Sequence, residues 1–229
     1  MREKTKTISI LLSFIMCVGI VSAKKKTELF TIKQGDPLII LQEKKTAIFE
    51  IDYSKMIVTD GVDHENDLPF HEWMISQDED DEEWLKDWKE KDSVECHRAF
   101  RDNFNDEIKK GIKLTKLGKD YKVTLRIDEI FLGKHASGGK VAVGVVLFGG
   151  YGLNAHRKPA IATGELQIDN LKTGETELIL AFSNLIGEES LSQIGRLKGI
   201  FENLSENINE YLEDYQKEQK KLAKKNKDK

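Results

Sequence analysis

Cysteine is scarce in this chain, with two in 229 residues, Cys17 and Cys96. Cys17 falls in an amino-terminal apolar run that reads as a removable leader. Cys96 is then left alone, and no intramolecular disulfide can form. Stability has to come from packing. Catalytic signatures are missing as well. There is no H-E-x-x-H pair and no G-x-S-x-G, and neither G-K-[ST] nor G-x-G-x-x-G accompanies the glycine-rich stretch Gly149 to Gly152. Past the first 23 residues, no apolar run approaches the ~20 residues that a membrane-spanning helix needs.

The amino terminus carries the most specific signal. Arg2, Lys4 and Lys6 precede the apolar run Ile8 to Val21, and Ser22-Ala23 follow before Lys24. A basic start, an apolar centre and small residues at the cut are the parts of a secretory signal peptide. Residues 1–23 are therefore expected to be cleaved after Ala23, which predicts a periplasmic or secreted protein. Lipid attachment at Cys17 would need a small residue just before it, and Met16 stands there, so release is favoured over anchoring.

The remaining 206 residues hold 33 Lys and Arg against 39 Asp and Glu. That length can bury one substantial core, and the mild acidity argues against nucleic acid as the main partner. The expected organisation is a single domain over residues 24–215, with an acidic tryptophan-containing insertion at 60–92 and a lysine-rich flexible tail at 216–229.

Pro37 to Leu41 and Thr46 to Asp52 read as strands, the second alternating Ala47, Phe49 and Ile51 against Glu50 and Asp52. A helix is predicted to open at Asp92 or Ser93 and to close near Gly111, with Cys96, Phe100, Phe104 and Ile108 on its buried face. Tyr121, Val123, Leu125 and Ile127 alternate with polar residues as a half-buried strand. Val141 to Phe148 and Ala160 to Asp169 read as further strands, and Asn170 to Gly174 as the turn of a hairpin whose second strand is Glu175 to Ser183. Ser190 and Gln193 have capping-box spacing before a long amphipathic helix that carries Leu197, Phe201, Leu204, Ile208, Tyr211 and Tyr215. The predicted class is α+β: a mostly antiparallel four- to five-stranded sheet with two helices packed on one face.

This order of elements, together with the segment Ala47 to Ser54, the Tyr121 to Leu125 strand and the closing helix, is similar to exported bacterial envelope domains. It resembles the amino-terminal domain of the translocation protein TolB and the periplasmic penicillin-binding-protein activators. The resemblance covers residues 38–215 and implies a noncatalytic module that binds other envelope components. It carries no site residue over to this chain.

Candidate chemistry is sparse. Cys96 and His97 are helix neighbours pointing ~100° apart, and Cys96 shares a face with Phe100 and Phe104, so an inert core thiol is expected. His64, His71, His97, His135 and His156 have no paired ligand spacing, and no metal site or cofactor is predicted. From Asp60 to Glu83 there are 11 acidic residues and no Lys or Arg, ending in the run Asp78 to Glu83. The run lacks the alternating ligands and central glycine of a calcium loop, which favours a solvated charge run.

All three tryptophans, Trp73, Trp84 and Trp88, fall in or beside this acidic stretch. They are the candidate partner-binding residues, since tryptophan is enriched at binding hot spots. The competing reading folds the segment over the sheet with its indoles in the core. The leading expectation is an exported noncatalytic module that binds a cell-envelope protein. The alternative is a glycan-binding protein or hydrolase, with tryptophans stacked on sugar beside working carboxylates.

Overall fold

The structure is a computed structural model and describes residues 29–59, 67–76, 86–132, 159–190 and 192–227. The leader with Cys17, the acidic run Asp78 to Glu83 with Trp84, the strand expected at Val141 to Phe148 and the loop Gly149 to Gly152 lie outside the described residues.

Strand β1 is Phe30–Gly35, followed by a 3₁₀ turn at Pro37–Leu41, β2 at Thr46–Asp52, β3 at Ile57–Thr59 and β4 at Leu68–Pro69. Helix α1 is Phe70–Ser76, a π-helical turn spans Trp88–Asp92, and α2 is Ser93–Glu107. Then come β5 at Lys113–Thr115, β6 at Tyr121–Phe131, β7 at Ile161–Asn170, β8 at Thr176–Ile186 and α3 at Gln193–Lys227.

The strands form one eight-stranded sheet in the order β1-β8-β7-β6-β2-β5, with β3 on β6 and β4 on β3. It is mixed. β6, β7, β8 and β1 pair antiparallel, whereas β2 runs parallel to both β6 and β5, and β3 runs parallel to β6. This corrects the expected mostly antiparallel four- to five-stranded sheet with two helices. The class remains α+β, but the sheet is larger and of mixed direction, and α1 is a third helix. The physical reason is twofold. Strands of two or three residues are too short to show alternation, and alternation is the same for parallel and antiparallel neighbours. The direction of β5 follows from the chain leaving β2 by way of β3, β4, α1 and α2 before it returns, a long crossover connection suited to parallel pairing.

One row across the sheet shows how it makes a core. Phe49, Val123, Ile168 and Leu178 are cross-strand partners in successive pairs, and all are buried. α2 lays Cys96, Phe100 and Phe104 into this core, and α3 lays in Leu197, Phe201, Leu204 and Ile208. The Phe49 and Phe100 rings stack at 4.7 Å. The opposite sheet face is polar; there Glu165, itself buried, accepts from Lys33 at 3.0 Å and pairs with Arg126 at 2.7 Å.

Several local expectations shift. Pro37 to Leu41 is a 3₁₀ turn rather than a strand, because the Asp36 carboxylate accepts the Leu38 N–H at 3.0 Å and Pro37 sits in its first turn. The cap of α3 is Ser192, whose hydroxyl accepts the Gly195 N–H at 2.9 Å, and not Ser190. α2 begins at Ser93 with Asp92 before it, where the sequence placed its start, but Asp92 makes no side-chain cap hydrogen bond, since helical backbone already runs through the π-turn. α3 continues through the lysine-rich stretch to Lys227, with residues 217–226 exposed.

Candidate functional site

β6 is 11 residues long, and two short parallel strands share its length. β2 pairs with Tyr121 to Arg126, and β3 takes over from Glu129 to Phe131. Between them the chain turns through Tyr53 to Met56, where the Ser54 N–H donates to Asp52 Oδ1 at 2.9 Å and the Met56 N–H to the Tyr53 carbonyl at 3.2 Å. On its other edge β2 is covered by β5 only from Thr46 to Ile48. From Phe49 onward that edge has no strand neighbour among the described residues.

A cavity of about 700 Å³ lies here. Glu50 and Ile51 of β2 form one wall. Val94, His97, Arg98 and Arg101 of α2 form the other, with Lys116 also in the lining and Tyr53 and Trp88 beside the strand break. His97 reaches across it, and its Nε2–H donates to the Phe49 carbonyl at 2.7 Å. The Lys45 carbonyl, on the same edge, is used by the Lys113 N–H at 2.9 Å. Because backbone groups alternate sides along a strand, Ile51 presents its N–H and C=O to this edge too.

The charge of the cavity is mainly basic. Arg101 is held by its neighbour Asp102 at 2.8 Å, while Arg98 and Lys116 have no ion pair among the described residues. Glu50 is the one carboxylate among the described lining residues, and Lys122 neutralises it at 2.7 Å. Val94 adds an apolar contact on the α2 wall and is 48% exposed.

Trp73 and Trp88 are 8% and 7% exposed and pack with Tyr53 and Phe70. Phe70 lies 5.8 Å from Trp73 in a stack and 4.8 Å from Trp88 edge-on. The π-turn, closed by the Ser93 N–H on the Trp88 carbonyl, adds a residue to the helical turn and sets Trp88 against this cluster. These two indoles are thus core members, and only Trp88 also borders the cavity. A sugar-stacking role would need accessible indole faces and a second carboxylate, which the described lining does not supply.

Tyr53, in the lining, and Cys96, on the core face of α2, are titratable groups whose ionisation the fold opposes. Burial pushes the Cys96 thiol up to about 12, with a smaller push from the Asp92 carboxylate. Burial likewise raises the Tyr53 phenol well above its ordinary range, and Cys96 adds to the effect. Tyr53 Oη is shielded from solvent and has no hydrogen-bond partner among the described residues. A thiol kept protonated in this way is a poor nucleophile. Among the described residues no group of three His, Cys, Asp or Glu side chains could hold a metal ion, and no helix is long and apolar enough to cross a membrane.

The lining residues Glu50, Tyr53, His97, Arg98, Arg101 and Lys116 were not singled out as a site from the sequence. One signal was present. Val94, His97, Arg98 and Arg101 recur at spacings of three and four, on the flank of α2 away from Cys96 and Phe100.

No protein-family model matches the chain, and no curated protein matches it in sequence. Among solved structures it is similar to the dodecamer of a single-substitution variant of PelC from Paraburkholderia phytofirmans, at 7% identity and a TM-score of 0.34, over 79% of this chain and 98% of that one. It is similar also to the PelC dodecamer of the same organism in a second crystal form, at 6% identity and a TM-score of 0.35, over the same shares. A likeness this remote supports no inference about fold or function.

Proposed function

We propose that the chain is an exported, noncatalytic binding module that takes an extended, acidic segment of a cell-envelope protein along the open edge of β2. Export rests on the leader pattern of residues 1–23. The binding reading rests chiefly on one observation: β5 ends opposite Ile48, so β2 faces an open groove from Phe49 to Asp52. A strand laid beside that edge gains main-chain hydrogen bonds from Ile51, the way many modules capture extended peptides. About four residues fit along Phe49 to Asp52 at ~3.3 Å each. Arg98, Arg101 and Lys116 favour carboxylates on the incoming segment, and Val94 offers it an apolar contact. A neutral, buried Cys96 agrees with a site that binds without covalent chemistry.

The test is site-specific photo-crosslinking in the native cell, with a photoreactive residue in place of Val94. The expected result is a discrete adduct with an envelope protein, lost in the double substitution Arg98→Glu and Arg101→Glu. Adducts unchanged by that charge reversal, or identical to those from a probe at Thr124 on the polar sheet face, would overturn the reading.

A further inference from the structure

We infer that the carboxy-terminal arm of α3 is a second interaction surface, one that rests on an anionic lipid bilayer. The last fully buried side chain of α3 is Leu212, and residues 217–226 are exposed on every side of the helix. Ten such residues extend about 15 Å beyond the packed region. The arm makes no contribution to the core, yet it is helical, and helical geometry gives its charges an order that the sequence reading as a flexible tail did not contain.

At 100° per residue, Lys217, Lys220, Lys221, Lys224 and Lys225 fall within an arc of about 140°. Gln219, Leu222, Ala223 and Asn226 occupy the opposite side, continuing the line of Ile208, Leu212 and Tyr215. The acids near the stripe are at its base and flank. Lys217 pairs with Asp214 at 3.0 Å and with Glu213 at 3.8 Å, and Glu218 lies at the edge of the arc. Lys220, Lys221, Lys224 and Lys225 have no ion pair among the described residues.

Like charges three and four residues apart oppose helix formation. Lysines near the carboxyl end are helped by the negative pole of the helix, but that help fades within the last turn. A stripe of repelling cations on one side is relieved most completely by a plane of negative charge, which can meet all five at once. Phosphate headgroups of a bilayer provide such a plane. A single linear polyanion laid along the arm would follow one row of charges, whereas these lysines spread over an arc of about 140°, a width that a plane of headgroups meets more completely. Leu222, 54% exposed, lies on the far side, so the contact is electrostatic and involves no insertion.

The experiment is co-sedimentation of the purified chain with vesicles of 30% phosphatidylglycerol and 70% phosphatidylcholine, and with vesicles of phosphatidylcholine alone. Binding is expected to the anionic vesicles only and to vanish at high salt. Each Lys→Gln substitution at 220, 221, 224 or 225 should weaken partitioning about fivefold, and all four together by two orders of magnitude or more. Leu222→Ala should leave it unchanged, and helicity by circular dichroism should not fall in the quadruple variant. Equal binding to both vesicle types, undiminished binding of the quadruple variant, or complete displacement from vesicles by polyphosphate at matched charge would overturn the inference.

Discussion

The environment of Cys96 gives a measurable consequence far from any binding partner. The side chain is fully buried in the core that α2 makes with the sheet, and its thiol is held up at about 12 from an ordinary value of 9.0. The folded state therefore keeps a proton that the unfolded chain gives up. Between pH 9 and 12 the folded form binds more protons than the unfolded one, so stability falls as pH rises through that window and is untouched below it. From pH 8 to pH 10 the loss from this group alone is about 1.4 kcal/mol. The raised Tyr53 phenol adds a loss in the same direction as the pH climbs toward and past 10. Urea unfolding followed by tryptophan fluorescence at the two pH values measures the total, and Cys96→Ala isolates the thiol. The variant should be weaker at pH 8 through lost packing, by about 1 kcal/mol, and should lose about 1.4 kcal/mol less than the parent on going to pH 10. A native-state thiol-labelling assay gives a second readout. At pH 8 about a tenth of an ordinary thiol is ionised, against about one part in ten thousand for Cys96, so labelling should proceed only as fast as the protein opens. Parallel pH dependence in parent and variant, or labelling at the rate of a free cysteine, would refute this account of the core and remove the argument against a reactive thiol.

Two further substitutions probe the architecture around the groove. Tyr53→Phe deletes a buried hydroxyl that has no partner among the described residues, so it should leave stability unchanged or raise it by about 1 kcal/mol, read as a shift in the urea midpoint; a loss above about 1 kcal/mol would mean the hydroxyl is bonded. Gly118→Ala should destabilise by about 2 kcal/mol or more, because a Cβ there would stand 2.0 Å from the Ala47 carbonyl carbon as the chain passes from β5 to β6; an unchanged melting temperature would show that this crossing is looser than described.

Much of this protein was legible from spacing alone. Alternation marked β6 and most of β8, β7 was read as an uninterrupted run, and the four-residue recurrence of Cys96, Phe100 and Phe104 marked the buried face of α2, because local burial imposes a period on the residues themselves. The leader pattern and its predicted cleavage after Ala23 likewise rest on the order of residue types along the chain. The groove was not legible. Its walls come from β2 and α2, more than 40 residues apart in sequence, and it exists because β5 stops three residues into its pairing with β2. How far one strand covers another is settled by where the chain returns after a crossover, and no local period records that. The tryptophans show the same division. Their acidic neighbours left a contact surface open beside the core reading, and the packing of Phe70 and Tyr53 around Trp73 and Trp88 places these two in the core. Composition and periodicity thus determined which faces are apolar, and the leader pattern supplied the expectation of export. The tertiary structure decided which edges are left open, since that depends on contacts between segments that carry no information about each other until they meet.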